Sequence, residues 1–203
     1  MKAAVTAAED WGTYVTVHAY TPRAVKRSIE AGVKCIEHGQ LLDVETMKLI
    51  AAKGIFLSLQ ALDEAPPTAP ANVREKKHTV IAGTDNAFKW AKQHNVKLLW
   101  GTDYLFEPKN GPKQSTDILK LQQWLSPFEI LKLITYDNAQ VFKLSGERNP
   151  YQAGKLGEIS EDAYADFILI DGDPLKDIKV ITEYDNKFML IVKDGIVYKN
   201  IIK

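Results

Sequence analysis

Two histidines and an aspartate have residue types that support metal-assisted hydrolysis, and each closes a short apolar run of the chain. His18 and His38 end the first two runs, and Asp103 follows the fourth. Imidazole nitrogens bind zinc and similar divalent ions, and an aspartate beside an activated water can take its proton and pass it to a leaving group. One histidine at a strand end is more often a core or rim residue, but three such residues on one sheet favour a site.

Tyr20 and Arg23 lie just beyond the first histidine and are candidates for binding a substrate. A phenol and a guanidinium could hydrogen-bond and charge-pair with an anionic group there. A tyrosine on the rim and an arginine on a helix surface are equally good interpretations of the two residues.

The elements that must position these residues are short apolar runs, the first of them β-branched, which alternate with helical patterns. Consecutive runs are separated by 14, 16 and 36 residues, and each connection contains a helix, which implies parallel strands. The carboxyl ends of such strands meet at one edge of the sheet, where α/β proteins build their sites. Four such units are half of an eight-fold barrel, or a small doubly wound sheet. The strands are predicted at residues 14–18, 33–38, 55–59 and 96–100, and the helices at 1–10, 21–32, 43–54 and 73–94.

The pattern changes in the last third of the chain. Helices are predicted at residues 115–124, 126–134 and 138–144, the second opening on the capping box of Ser126 and Glu129. From Gly146 onwards, short apolar runs between Gly, Pro and Asp residues predict strands, with a hairpin turn at residues 193–195. We therefore predict a domain boundary between residues 1–145 and 146–203. The tail strands are predicted at residues 156–159, 165–170, 189–192 and 196–198.

The composition excludes several other kinds of protein. With one cysteine, Cys35, the chain can form no internal disulfide and no cysteine-based zinc cluster, so histidines and carboxylates must hold any metal. The 26 Lys and Arg residues balance the 26 Asp and Glu residues, which gives no electrostatic case for a nucleic acid or an anionic membrane. No apolar stretch reaches the roughly 20 residues of a membrane span, and the N-terminus lacks the layout of a signal peptide. A cytoplasmic location is favoured, and a signal upstream of Met1 stays open.

Three segments of the chain resemble the amidohydrolase superfamily, in particular its imidazolonepropionase-like and Xaa-Pro dipeptidase-like (prolidase-like) branch. VTVHAYTPRAVKRSIEAGVKCIEHGQLLD resembles the fifth and sixth barrel strands of that family, and LLWGTDY resembles the eighth. SGERNPYQAGKLGEISEDAYADFILIDGDPLKDI resembles its return to a small β domain. The resemblance implies strands five to eight of a (β/α)8 TIM-type barrel, followed by part of a small β-sandwich domain.

The resemblance also implies a role for each candidate residue. His18 and His38 would bind the more exposed of two divalent metal ions, with zinc as the expected ion. Asp103 would contact the other metal and act as general base and then general acid, and Tyr20 would contact a substrate carboxylate. The implied reaction is hydrolysis of an amide bond in a small substrate such as an Xaa-Pro dipeptide.

The family pattern also requires residues that this sequence lacks. There is no His-x-His pair of the kind that ends the first barrel strand, and no bridging carboxylate or carboxylated lysine of the fourth strand. We therefore expect a partial site, low or absent turnover by this chain alone, and self-association as a homo-oligomer. Two alternatives stay open: a non-catalytic half-barrel that binds metal weakly or self-associates, and a deaminase or cyclic amidase on the same scaffold.

Overall fold

A computed structural model describes residues 1–104 and 108–202 of the chain, and its first feature is a four-stranded parallel sheet. The strands follow one another across the sheet in chain order, and each pairs with the next in parallel. The four strands predicted in this region and their parallel direction are therefore confirmed. They are β1 (Thr16–Ala19), β2 (Cys35–His38), β3 (Phe56–Leu59) and β4 (Lys97–Trp100).

Helices connect these strands, and local sequence signals fix where two of the helices begin. The Thr21 hydroxyl accepts a hydrogen bond from the Ala24 N–H, and Pro22 takes the first helical position, where no N–H donor is needed. The Asp43 carboxylate accepts a hydrogen bond of 2.7 Å from the Thr46 N–H and caps the next helix. The helices of this region are α1 (Lys2–Asp10), α2 (Pro22–Glu30), α3 (Val44–Ala52) and α4 (Ala71–Gln93).

Aliphatic side chains of the strands and helices form the core around this sheet. All four residues of β3 are buried, as is typical of a parallel strand covered on both faces. This core fixes the strand ends, where the candidate residues lie. Its largest fully buried apolar side chains belong to Val25, Val33, Ile36, Met47, Ile50, Leu57, Leu59 and Phe88.

Two glycines let other elements pack closely against the segment that follows β2. A Cβ atom at Gly83 of α4 would lie 2.1 Å from the Gln40 carbonyl oxygen, so only glycine permits this approach of helix and backbone. Gly39 has a φ of +75°, and a Cβ atom there would lie 2.7 Å from Leu57 Cδ1. The segment after His38 is thus held between α4 and β3.

The described residues divide into two compact units. The first comprises Met1–Asp103 with Leu144–Arg148, and the second comprises Tyr104–Lys143 with Asn149–Lys203. The predicted domain boundary between residues 145 and 146 stays a prediction. Among the described residues, none of the helices combines the length and apolar character that crossing a membrane requires.

Short helical segments make up much of the remaining chain. The Ser126 hydroxyl accepts from the Glu129 N–H while the Glu129 carboxylate accepts from the Ser126 N–H, which confirms the predicted capping box. The α-helices are α5 (Gln114–Asp117), α6 (Pro127–Lys132), α7 (Asn138–Val141) and α8 (Tyr184–Lys187). A π-helix spans Leu133–Asp137, and 3-10 helices span Pro108–Lys113, Ile118–Gln123, Phe142–Arg148 and Ile178–Thr182.

A separate antiparallel sheet of three strands belongs to the second unit. Asp194 and Gly195 have φ values of +52° and +73°, the backbone that a tight hairpin needs, and the predicted turn is confirmed. The predicted strand at residues 156–159 is wrong, because the chain there makes only a bridge between Lys155 and Ala163. The three strands are β5 (Phe167–Ile170), β6 (Phe188–Lys193) and β7 (Ile196–Asn200).

Candidate active site

His18 and His38 meet at the carboxyl ends of β1 and β2. The Nδ1 atom of His18 lies 2.8 Å from the Nε2 atom of His38. The strand register places His38 level with Ala19 rather than with His18, so regular alternation of side chains alone would not bring the two rings together. His38 departs from the extended backbone with a φ of +82°, and this change of direction accompanies the contact.

Two of the candidate residues have a backbone conformation that is costly for any residue other than glycine. His38 has a φ of +82° and Asp103 has a φ of +57°. Such conformations cost on the order of 1–3 kcal/mol, persist only where the surrounding structure imposes them, and cluster at functional sites. Their occurrence at these two strand ends is an independent reason to assign a function to this edge of the sheet.

A buried polar network holds the inner histidine. His38 is only 5% exposed, and its Nδ1 atom lies 2.8 Å from the Oε1 atom of Gln60, the residue that follows β3. Gln40 donates to the same oxygen at 3.3 Å, and the Gln60 amide donates to the Ser58 carbonyl oxygen at 3.3 Å. The Nε2 atom of His38 is therefore left to face His18.

Tyr20 packs on the same histidine. Its ring stacks on the His38 imidazole with 4.5 Å between ring centroids and 7° between ring planes. Burial and, secondarily, the negative charge of Asp103 raise the pKa of the Tyr20 phenol above its usual value. The phenol therefore keeps its proton at neutral pH and can donate a hydrogen bond to an anionic group.

The cysteine and the glutamate of β2 have a structural role. Glu37 accepts a hydrogen bond of 2.7 Å from the Thr16 hydroxyl and lies 3.5 Å from the Cys35 thiol. Burial, reinforced by the Glu37 charge, raises the pKa of Cys35 to about 12. The thiol stays protonated, which excludes it as the nucleophile, since only a thiolate attacks efficiently.

The structure brings together only some of the candidate residues. His18, His38 and Tyr20 are in contact, and Asp103 is near enough to affect the Tyr20 phenol. Arg23 is exposed in the first turn of α2. Within residues 1–104 and 108–202, no three His, Cys, Asp or Glu side chains come together as a group that could hold a metal ion. The metal-binding roles of His18, His38 and Asp103 therefore stay predictions. So do the catalytic role of Asp103 and the substrate-binding roles of Tyr20 and Arg23.

Gln40 and Gln60 are the two site residues that the sequence did not reveal. Gln60 directly follows the third strand. Like His18 and His38 it lies at the carboxyl end of a strand, and this placement was the signal that could have revealed it. Gln40 lies two residues beyond His38 and carries no comparable signal. Glutamine is common on protein surfaces, and only burial distinguishes these two, which are 1% and 4% exposed.

Comparison with known proteins identifies relatives of the chain. It is 27% identical over 176 residues to an ochratoxinase of Aspergillus niger, a match that covers 83% of this chain and 35% of that relative. The crystal structure of a prolidase in complex with N-methylphosphonate-L-proline superposes with a TM-score of 0.84 at 29% identity, covering 98% of this chain and 48% of the other. A Xaa-Pro dipeptidase with methionine bound in its active site gives a TM-score of 0.77 at 27% identity, covering 98% and 48%.

This chain thus spans about a third of the ochratoxinase and about half of each of these solved structures. The model of the amidohydrolase family matches residues 1–203. The predicted resemblance to this superfamily and its prolidase-like branch is confirmed, as is the mixed α/β fold of these enzymes. The chain belongs to the amidohydrolase family.

Proposed function

We propose that this chain forms part of the active site of a metal-dependent hydrolase that cleaves an amide bond in a small substrate, an Xaa-Pro dipeptide or a similar molecule. The observation that carries the proposal is the 2.8 Å approach of the His18 and His38 ring nitrogens at the carboxyl ends of adjacent parallel strands. Membership of the amidohydrolase family, and relatives described as a prolidase and a Xaa-Pro dipeptidase, support the assignment.

The two histidines fit a divalent metal ion, and we expect zinc. Two imidazole nitrogens that face each other, one of them on a ring held by a buried hydrogen bond, are a donor set that zinc commonly uses. Such an ion, when bound, supplies a Lewis acid that polarises the amide carbonyl and lowers the pKa of the attacking water. His18, His38 and, in our proposal, Asp103 would hold it.

The protein groups have distinct tasks in this reaction. Asp103 would take the proton of the attacking water and return it to the departing nitrogen, which makes it general base and then general acid. The protonated Tyr20 phenol would donate a hydrogen bond to the substrate carboxylate, and Arg23 would supply a positive charge to the same group. The free carboxylate of a dipeptide is close to its amide bond. One small molecule can therefore place its amide bond beside Asp103 and its carboxylate beside Tyr20.

We further propose that β1 to β4 correspond to strands five to eight of a (β/α)8 barrel, and that the second sheet is part of a small β domain. The chain spans 48% of each of the two enzyme structures compared above, and the rest of such enzymes would supply further metal ligands. The activity and the substrate belong to the complete enzyme. Self-association as a homo-oligomer is part of the same proposal.

Metal binding is the first test, because it needs no assumption about the substrate. We expect the purified, dialysed chain to retain a near-stoichiometric divalent metal in elemental analysis, and His18→Ala or His38→Ala to lose it. His78→Ala is the matched control, since His78 is an exposed residue of α4 whose ring contacts Glu64. Metal that is absent from the unaltered chain, or that survives both substitutions at the site, would contradict the proposal.

A further inference from the structure

We propose that Gln60 is a positioning residue that fixes the tautomer of His38, and that metal binding moves a proton within His18. Gln60 would keep the Nε2 atom of the neutral His38 ring unprotonated, both with and without a metal. His18 would carry its proton on Nδ1 in the metal-free chain and on Nε2 in the metal-bound chain. The role of Gln60 is independent of any metal, whereas the change at His18 rests on the proposed function.

The contacts of the Gln60 amide fix its orientation. Its Nε2 atom lies 3.3 Å from the Ser58 carbonyl oxygen, which can only accept a hydrogen bond. The amide nitrogen must therefore lie at that end and the amide oxygen at the other. Gln40 donates to this oxygen at 3.3 Å, which favours the same orientation. Gln60 is 4% exposed, so water does not compete freely for these contacts.

The contact between Gln60 and His38 determines which nitrogen of His38 carries the hydrogen. The Gln60 oxygen accepts, so the His38 Nδ1 atom at 2.8 Å must carry a hydrogen and donate it. A neutral imidazole has one protonated nitrogen and one lone pair. The lone pair of neutral His38 is therefore on Nε2, the atom that faces His18.

The short contact between the two histidines requires one of them to donate a hydrogen. Two nitrogens 2.8 Å apart form a hydrogen bond only if one of them donates. Because His38 presents a lone pair, the Nδ1 atom of His18 is the donor in the metal-free chain. A nitrogen can bind a metal only through a lone pair, so His18 must give up this hydrogen when a metal binds.

The two histidines are therefore prepared to different degrees. His38 is buried and already has the tautomer that a ligand needs, whereas His18 is exposed, so that solvent can take the proton from Nδ1 and supply one to Nε2. The exchange leaves the charge of the neutral ring unchanged. His38 thus acts as a fixed ligand and His18 as an adjustable one.

Nitrogen NMR of the metal-free chain tests the tautomers directly. Long-range proton–nitrogen spectra at pH 8, with the signals assigned from His18→Ala and His38→Ala, distinguish a protonated from an unprotonated ring nitrogen. We expect both histidines to be protonated on Nδ1. After zinc is added, His38 should keep this tautomer and His18 should become protonated on Nε2. A His38 ring protonated on Nε2 in the metal-free chain would overturn the proposal.

Two matched substitutions test whether Gln60 is the cause. Gln60→Met keeps the length of the side chain but removes the acceptor. Thr84→Val is the control, because it removes a buried polar group of α4 that is also 4% exposed and whose hydroxyl donates to the Val80 carbonyl oxygen. We expect Gln60→Met to mix the His38 tautomers and to weaken zinc binding by about 10- to 100-fold. Thr84→Val should keep the tautomer and bind zinc within about three-fold of the unaltered chain.

The same measurements separate failure of this inference from failure of the proposed function. If Gln60→Met keeps both the His38 tautomer and the zinc affinity, the positioning role is wrong even though the metal site is real. If the unaltered chain has the expected His38 tautomer but binds no zinc, Gln60 keeps its role and the proposed function fails, together with the change at His18. The His38 tautomer itself is measured in the unaltered chain, so a result that contradicts it overturns the proposal whether or not Gln60→Met is well folded.

Discussion

The apolar strands of the two sheets differ in how far their side chains are buried. Every residue of β3 in the parallel sheet is buried, whereas Phe167, Ile168 and Leu169 of β5 in the antiparallel sheet are 40%, 48% and 49% exposed. The polar contacts differ in the same sense. Gln60, beyond the end of β3, is a buried hydrogen-bonding residue, whereas Lys193 of β6 forms a surface ion pair of 2.6 Å with Asp166.

This difference shows where the fold can support chemistry. A buried polar group that loses its partner costs about 1–3 kcal/mol, so the network at the end of the parallel sheet holds its members in one arrangement. A surface ion pair is screened by water and contributes little, and it leaves its side chains free to move. The network thus holds the imidazole of His38 at the end of the parallel sheet, and we expect substitutions there to have the larger effects.

The largest effect is expected from the same substitution made in both sheets. Leu57 of β3 is 0% exposed and Leu169 of β5 is 49% exposed. Leu57→Ala removes a buried side chain and leaves a cavity, so it should lower the free energy of unfolding by about 2–5 kcal/mol. Leu169→Ala removes apolar surface that is already half hydrated and should cost less than about 1 kcal/mol. Urea denaturation monitored by circular dichroism measures both values.

Equal losses of unfolding free energy from the two substitutions would contradict the difference in burial between β3 and β5. A large loss at Leu169 would mean that the exposed face of β5 is covered in solution, for instance by another copy of the chain. Light scattering on the unaltered chain and on Leu169→Ala would then detect an assembly that the substitution weakens.

Much of the parallel region could be predicted because its signals are local. The Thr21-Pro22 pair and Asp43 begin helices at the predicted residues, and short apolar runs form the strands between them. The predicted strand at residues 156–159 failed for the converse reason. Among the described residues, this part of the chain forms only the isolated bridge between Lys155 and Ala163, and a strand is stable only when it is paired over several residues.

The candidate site was predictable in its residue types but not in its geometry. A polar residue at the end of a parallel strand indicates a site, and His18 and His38 do meet there. The register and the positive φ of His38, which together decide how the two rings face each other, depend on contacts far apart in the sequence. Gln60 was missed for a similar reason, because its importance comes from its burial and from hydrogen bonds to residues about 20 positions earlier in the chain.

A second, smaller effect is expected at the helix that packs on the site. Gly83→Ala would place a Cβ atom 2.1 Å from the Gln40 carbonyl oxygen, so α4 or the segment after β2 must move. Overpacking of this kind typically costs about 1–3 kcal/mol. Helix propensity alone predicts the opposite, a gain of roughly 1 kcal/mol when alanine replaces glycine. The sign of the change in the free energy of unfolding therefore decides between packing and propensity.

Ala82→Gly is a suitable control for this substitution, because Ala82 is an exposed neighbour in the same helix. It should cost roughly 1 kcal/mol through propensity alone. If Gly83→Ala stabilises the chain, α4 does not pin the segment that carries Gln40. The end of the parallel sheet would then be less rigid than its buried hydrogen-bond network predicts.

The smallest effect concerns helix caps, which both units use but which differ in their response to acid. Asp43→Ala in the first unit and Ser126→Ala in the second should each cost about 1 kcal/mol at pH 7, because each removes an N-cap. Thr46, through its side chain and then its backbone N–H, lowers the pKa of the Asp43 carboxyl in the folded chain. The ionised form is thus favoured by folding.

The sign of the pH dependence follows from this lowered pKa. The contribution of the Asp43 charge is present above the ordinary aspartate pKa of about 3.9 and is lost as the pH falls through the lower pKa of the folded chain. Asp43→Asn keeps a good cap but cannot ionise. Urea denaturation of the unaltered chain and of Asp43→Asn should therefore give a difference in unfolding free energy that shrinks in acid. A difference that stays constant from pH 7 to pH 2 would show that the carboxylate charge does not stabilise α3.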